Sequence, residues 1–575
     1  MIRLFRFMKP YAGLVIFVLL FMFGQAMAEL YLPTLMSDVV NDGMLKGDTG
    51  YIWKYGGYML LVALGSSVCS ITGSFLSARA AVGFGRELRD RVFTRVESYS
   101  LHEFDKIGTA SLITRTTNDI TQIQMVLVMM LRFLIYAPIM CIGGIIMALS
   151  KDKELTLILA VVLPLLLATI GIMAGLVVPL FKSMQKKLDK LNQVLRENLI
   201  GIRVIRAFNR LNIERNRFTE ANGDLTDTAI RINKIMAGMQ PIMLIFMNVM
   251  SISIIWFAGL RIDANKMQLG DMMAFLQYAM QIMFSLIMVS IMYIMVPRAQ
   301  ASAVRINEVL DMHPEIVDRE RTVKADQKRG YVEFRNVVFS YPGAEQPAIQ
   351  NISFSASPGE TTAIIGGTGA GKSTLISLIA RFYDIDSGSL LVDGVDIREM
   401  AQKDLREKIG FVPQTAVLFS GTIADNIRYG KDDATMEEIR HAAEVAQAAE
   451  FIAGMDGGFD HEIAQGGTNV SGGQKQRLSI ARALVRKPEI YIFDDSFSAL
   501  DFKTDARLRA ALKKETVDST VIIIAQRVST VMGADRIIVL DDGQIVGIGN
   551  HKELMGTCEV YREIVSSQLT EEEIA

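Results

Sequence analysis

An α-helical transmembrane domain of six long helices, followed by an α/β domain of the P-loop type, is the fold class this sequence predicts. Three observations predict it. Six apolar stretches, each of the roughly 20 residues a helix needs to cross a bilayer, fill the first half of the 575-residue chain. From Tyr331 onward the pattern changes to short Val/Ile-rich strands, glycine turns and amphipathic helices. Within that second half, Gly366-Gly367-Thr368-Gly369-Ala370-Gly371-Lys372-Ser373-Thr374 stands between the strand-like Ala363–Ile365 and the helix-like Leu375–Ile379. That is the context a phosphate-binding loop requires.

Composition narrows the classes. Half of the residues are hydrophobic, more than a soluble protein of this length carries. The formal net charge is −2, so nothing favours a nucleic-acid partner. The three cysteines, Cys69, Cys141 and Cys558, are far apart, and the first two lie in apolar stretches. That argues against a disulfide framework or a zinc site. Arg3, Arg6 and Lys9 precede an apolar run that is long enough to span and has no small-residue cleavage pattern, unlike a signal peptide.

The candidate spans are 12–36, 55–78, 126–149, 155–181, 235–260 and 272–296. Cations cluster after spans two (Arg79, Arg86, Arg89, Arg91, Arg95), four (Lys182, Lys186, Lys187, Lys190) and six (Arg298, Arg305). The positive-inside rule therefore places both termini and the two long loops in the cytoplasm. Those loops, 79–125 and 182–234, are polar, contain no proline and read as helices continuing out of the membrane. The expected division is 1–311 as a transmembrane domain with cytoplasmic helical extensions, 312–330 as a charged linker and 331–575 as a nucleotide-binding domain.

In the P-loop, glycines let successive N–H groups turn toward phosphates, and the following helix N-terminus adds partial positive charge. Lys372 is placed to reach the β/γ-phosphates and Ser373 to ligate Mg²⁺. The buried-strand run Ile490–Phe493 ends in Asp494, placed to hold Mg²⁺ through water as a Walker B aspartate does. Between these motifs lie Gln414, in Phe411-Val412-Pro413-Gln414, and then Ser471-Gly472-Gly473-Gln474. Ser498-Ala499-Leu500-Asp501 follows the Walker B run.

With this ordered set the second half resembles the nucleotide-binding domain of an ATP-binding-cassette (ABC) transporter. The resemblance implies ATP and Mg²⁺ as cofactors. It makes Ser471–Gln474 the family signature, Asp501 part of the D-loop, Gln414 a residue of the metal and catalytic site, and Tyr341 the aromatic that stacks on adenine. The first half resembles a type IV exporter half-transporter, which implies coupling helices near Leu101–Thr109 and Asn209–Arg217.

Two residues at the γ-phosphate depart from the family. The Glu that follows the Walker B aspartate is replaced by Asp495, and the switch histidine by Gln526. Aspartate withdraws its carboxylate by about 1.5 Å, and a misplacement of about 1 Å can cost on the order of 10²-fold in rate. A glutamine amide can hydrogen-bond to phosphate but neither carries an imidazolium's charge nor shuttles a proton. The tract Glu462–Gly467 also departs from the exporter pattern. Together these imply a site that holds ATP and hydrolyses it slowly. The resemblance then implies the degenerate-site subunit of a heterodimer, with a partner chain supplying the Glu and His that work against Ser471–Gln474.

In the membrane half, Met236, Met239, Met243, Met247 and Met250 recur at helical spacing in span five, and Met280, Met283, Met288, Met292 and Met295 nearly so in span six. Such stripes suit a polyspecific pocket for amphipathic molecules, or plain lipid-facing and packing surface. Gln25 and Glu29 lie in span one and Arg132 in span three. Ionisable residues inside a membrane are costly and default to functional hypotheses. Glu29 either meets a cationic group of a substrate or sits wet at the outer interface near Tyr31 and Pro33. The expected function is ATP-driven export of amphipathic small molecules or lipids from the cell membrane. The alternatives are a fused importer of the same fold and an ATP-gated regulatory or channel-like subunit.

Overall fold

The computed structural model describes residues 1–323 and 329–569. Its first unit comprises Met1–Glu97 with Thr109–Met312; its second comprises Ser98–Gly108 with the chain from His313 onward. The grouping of 98–108 with the second unit departs from the simple division at 311. A buried carboxylate explains it. Glu103 accepts hydrogen bonds from the backbone N–H of Ser100 at 2.8 Å and of Glu315 at 3.2 Å, tying this segment to the chain after the last span.

The helices run in the order α1 (Ala12–Asp38), α2 (Thr49–Glu97), α3 (Leu101–Ile107), α4 (Thr109–Thr114), α5 (Ile120–Lys151), α6 (Thr156–Ala207), α7 (Leu211–Asp263) and α8 (Leu269–Asp311). Among the described residues, six helical runs are long and apolar enough to cross a membrane. At about 1.5 Å per residue, the 53-residue α7 is about 80 Å long, far beyond a hydrocarbon core of about 30 Å. The proline-free polar stretches are thus helical extensions, as expected. Six prolines do sit inside the apolar helices, at Pro33, Pro138, Pro164, Pro179, Pro241 and Pro297. Neighbouring helices make such breaks tolerable in a membrane.

The unit packs inside-out relative to a soluble bundle. A core of Ala26, Leu30, Met140, Met250, Tyr278 and Met283 is shared between helices. Many large apolar side chains, such as Leu20, Leu60, Ile71, Leu157, Ile172 and Trp256, face outward, as lipid contact requires. Ion pairs fasten the helix ends: Lys151 to Asp271 and Arg261 to Asp152, each at 2.7 Å.

Of the two expected coupling helices, α3 exists as a separate element. Its N-cap Ser100 and Glu103 form a capping box. The second does not. α6 ends in a Schellman turn, in which the N–H of Arg210 reaches the carbonyl of Ile205 (2.9 Å) and that of Asn209 reaches Arg206 (3.2 Å). Asn209 takes the left-handed position at φ +53°, and Leu211–Arg217 is already the first part of α7.

The second unit carries twelve strands among the described residues: β1 (Val332–Phe339), β2 (Ile349–Ala356), β3 (Thr361–Gly366), β4 (Ser387–Val392), β5 (Val395–Asp396), β6 (Ile409–Val412), β7 (Gly421–Thr422), β8 (Glu462–Ile463), β9 (Ile490–Asp494), β10 (Thr520–Ile524), β11 (Arg536–Asp541) and β12 (Gln544–Gly549). A six-stranded sheet has the order β12-β11-β3-β10-β9-β6, parallel except for its edge strand β12. A four-stranded sheet, β2-β1-β4-β5, is antiparallel. Strands β9 and β10 are buried along their whole length, which is why they read as unbroken apolar runs. The sheet order sets β3 beside β10, and β10 beside β9, with Ile523 opposite both Ala363 and Phe493. The C-terminal ends of these strands therefore open at one edge, where β3 passes into the P-loop and the helix α9 (Lys372–Ile379).

Candidate nucleotide site and membrane cavity

Packing dictates the P-loop's glycines. A Cβ on Gly366 would lie 2.1 Å from the carbonyl oxygen of Leu540 on β11. Gly371 sits at φ +93°, and a Cβ there would be 2.9 Å from the Ala348 carbonyl. A Cβ on Gly367, by contrast, would meet nothing within 4 Å, so the loop keeps an open side. Ala370 is buried beneath it, and Thr368 and Gly369 are exposed.

Lys372 folds across the loop and donates from Nζ to the carbonyls of Gly366 (2.9 Å) and Gly367 (2.6 Å). Burial lowers its pKa, while the nearby Asp495 and Asp494 carboxylates oppose that shift. Ser373 Oγ donates to Asp494 Oδ1 at 3.3 Å. Burial raises the Asp494 carboxyl above the usual range; the Ser373 bond opposes this and the Asp495 charge adds to it. A hydroxyl and a buried carboxylate side by side are the hard oxygen donors Mg²⁺ takes, so the residues present fit that ion. Tyr341 is held edge-on by Phe339 and Tyr383, with centroids 5.0 and 5.4 Å away. Its hydroxyl meets Thr374 Oγ1 at 3.0 Å, and 39% of the residue stays exposed.

Asp495 leaves β9 in the left-handed region, at φ +44°. Its N–H donates to Ile524 O at 2.9 Å and its carbonyl accepts from Ser498 Oγ at 2.8 Å. The Gln414 side chain donates to Asp495 Oδ2 at 3.4 Å. Gln526 is exposed beyond the end of β10. Its segment is clasped by Gln568, whose Nε2 donates to the Gln526 carbonyl at 2.8 Å and whose Oε1 accepts from the Val528 N–H at 2.9 Å.

Ser471 caps the helix Gly472–Val485. The Ser471 N–H donates to Gln474 Oε1 (2.8 Å), and the Gln474 N–H donates to Ser471 Oγ (3.3 Å). Gly472 has open space where a Cβ would stand, and Gly473 approaches the Ala499 carbonyl. Asp501 caps the helix Phe502–Glu515 by accepting from the Thr504 N–H at 3.0 Å, which lowers its pKa.

Hydrogen bonds thus join Lys372 to the carbonyls of Gly366 and Gly367, Ser373 to Asp494, Gln414 to Asp495 and Tyr341 to Thr374. Among the described residues, none joins Ser471–Gln474, Asp501 or the Gln526 side chain to the P-loop. The clasp by Gln568 and the support of Tyr383 had no motif to announce them.

In the membrane unit a cavity of about 480 Å³ opens between α1, α5 and α8, lined by residues that include Glu29, Arg132, Tyr136, Gln281 and Met288. Glu29 accepts hydrogen bonds from Gln25 Nε2 (2.8 Å), Ser66 Oγ (3.4 Å) and the Tyr136 hydroxyl. It lies 15 residues before the end of its helical run at Met44, about 22 Å along the axis. The methionine stripes divide. Met288 lines the cavity, but Met239, Met243, Met247, Met280 and Met283 do not. α7 contributes no wall, Met283 is fully buried in the core, and Met243 and Met247 pack against that core. Tyr136, Ser66 and Gln281 escaped the sequence reading, because an uncharged polar residue in an apolar run is too common to single out.

Comparison with known proteins places both halves. Residues 15–286 match the ABC transporter transmembrane region family, and residues 349–498 match the ABC transporter family. The chain is 43% identical over 564 residues, 97% of each protein, to an uncharacterised ABC transporter ATP-binding protein of Mycobacterium tuberculosis. It is 30% identical, over 99% of this chain and 98% of the other, to an ATP-dependent lipid A-core flippase of Vibrio parahaemolyticus. The solved structure of a bacterial Atm1-family ABC exporter with ATP bound superposes with a TM-score of 0.79 at 26% identity, covering 98% of this chain and 99% of that one.

Proposed function

Since this chain belongs to the ABC transporter family, a multi-pass membrane ATPase that couples nucleotide to transport, we propose that it is the degenerate-site half of a heterodimeric exporter. Its cargo is amphipathic small molecules or lipids. In this reading the P-loop amides from Gly366 to Thr374 and Lys372 hold the phosphates, and Tyr341 stacks on adenine. Ser373, Asp494 and Gln414 hold Mg²⁺, which when bound neutralises phosphate charge. Asp495 stands where a water must be polarised, one methylene short. Gln526 faces the γ-phosphate without a charge to give it. Ser471–Gln474 and Asp501 complete the nucleotide site of a second chain.

The observation that carries the reading is this contrast: a signature helix with its cap and its open Gly472 intact, on a chain whose own Asp495 and Gln526 both depart from the hydrolytic pair. A homodimer would have two impaired sites. The likeness to an exporter and to a lipid A-core flippase supports outward transport of an amphiphile over the importer reading.

ATPase assays on the chain alone, and on the pair it co-purifies with, test this. The lone chain should bind ATP and turn it over slowly. The partner should carry Glu after its Walker B aspartate and His at its switch. Brisk turnover by the lone chain would overturn the reading.

A further inference from the structure

The membrane cavity holds two charged residues in different situations. Both carboxylate oxygens of Glu29 are engaged, by the side chains of Gln25, Ser66 and Tyr136. Arg132 forms no ion pair or hydrogen bond among the described residues. Its guanidinium rests over the Phe133 ring, 5.5 Å from the centroid, a placement that orients its donors without satisfying them. Gln281, which lines the same cavity, donates from Nε2 to the backbone carbonyl of Glu29 at 3.2 Å, while its Oε1 is buried with no partner among the described residues. An unpartnered buried acceptor and an unpaired cation inside a membrane helix both cost free energy. Met22, Phe133, Phe284 and Met288 supply apolar walls.

These leftover demands describe a ligand. A guanidinium fits carboxylate or phosphate oxygens in a bidentate fork. Arg132 lies 19 residues from the outer end of its helix at Lys151, about 28 Å along the axis. Within the span read from the sequence, 126–149, that is the cytoplasmic half, on the side of the inner leaflet.

We propose that this cavity binds an amphipathic acid: Arg132 takes the acidic group, and the alkyl chain lies along the apolar walls. The inference deepens the export reading and rests on it for its physiological meaning, but binding alone tests it. This also reverses the sequence expectation for Glu29, which anchors the wall rather than meeting a cationic substrate.

The experiment is displacement of a dansyl-labelled fatty acid from the full-length protein in nanodiscs by laurate, dodecyl phosphate and dodecylamine. The acids should compete and dodecylamine should not. Laurate against dodecyl phosphate tells a carboxylate source from a phosphate one. Arg132→Gln should weaken the acids by about 10-fold or more, the worth of a hydrogen bond to a charged group. Arg132→Lys should restore only part of that loss, because the charge returns without the bidentate fork, and retained ATP binding in each variant reports an intact fold. Equal competition by dodecylamine, or acid binding unchanged in Arg132→Gln, would overturn the proposal. Arg132-dependent binding with no outward transport would leave this site standing and count against the export reading instead.

Discussion

Asp495 sits at φ +44°, a backbone region that asparagine and aspartate enter several-fold more readily than other side chains. The short acid is therefore at ease in its backbone even though it is short for its chemistry. Lengthening it and restoring an imidazole should move the site back toward hydrolysis. Asp495→Glu combined with Gln526→His is expected to raise the lone chain's ATP turnover by about 10-fold or more, since about 1 Å of misplacement costs on the order of 10²-fold. A steady-state phosphate-release assay reads this directly. For Tyr341, held on edge by Phe339 and Tyr383, Tyr341→Ala should weaken nucleotide binding by about 1–3 kcal/mol, by analogy with base–aromatic stacking. Titration with a fluorescent ATP analogue checks it. Both residues were legible because motif spacing fixes them. Two partners of Glu29, Ser66 and Tyr136, were not, because they come from α2 and α5, and one sequence gives no signal for which helices adjoin.

Helices and strands differ in how plainly they announce themselves. The six spans and their cytoplasmic continuations follow from length, apolarity and absent prolines, and β9 and β10 from runs buried on both faces. The bend between α6 and α7 does not, since it hangs on one asparagine taking the left-handed C′ position of a Schellman turn. The signature helix yields the prediction at this scale. Ser471 and Gln474 cap each other, and Gly472 has room for a side chain, so Gly472→Asp should fold while placing a charge where a phosphate must come. Like charges in a partly desolvated site cost several kcal/mol. In the reconstituted pair, Gly472→Asp and Ser471→Ala should therefore reduce ATP turnover more than Asp495→Asn does. The reverse order would exchange the roles assigned to the two sites.

The chain as a whole is chemically unfinished. Its P-loop and its signature are not joined by hydrogen bonds among the described residues, and the hairpin between α6 and α7 presents Leu199, Ile200 and Phe208 at 75, 79 and 73% exposure. An apolar cluster of this kind beyond the membrane marks an interaction surface. Ile200→Asp with Phe208→Asp should leave ATP binding by the lone chain unchanged and lower the turnover of the pair at least about 10-fold, measured on the co-purified complex. On the proposed heterodimer, the partner is legible only as a requirement, because the Glu and His that would satisfy it are not at the matching positions of this chain.

The clasp that Gln568 places on Gln526 and Val528 has a practical corollary for anyone handling the protein. Gln568 supplies two hydrogen bonds of about 0.5–1.5 kcal/mol each, beside those from Arg527 to Ser498 and Arg509 to Ser529, and a segment loosened by that margin opens more often for an enzyme to find it. Trypsin cleaves after arginine, and Arg527 stands between the two clasped residues. Gln568→Ala should therefore be nicked at Arg527 several-fold faster than the parent protein under limited digestion, with the fragments sized by mass spectrometry.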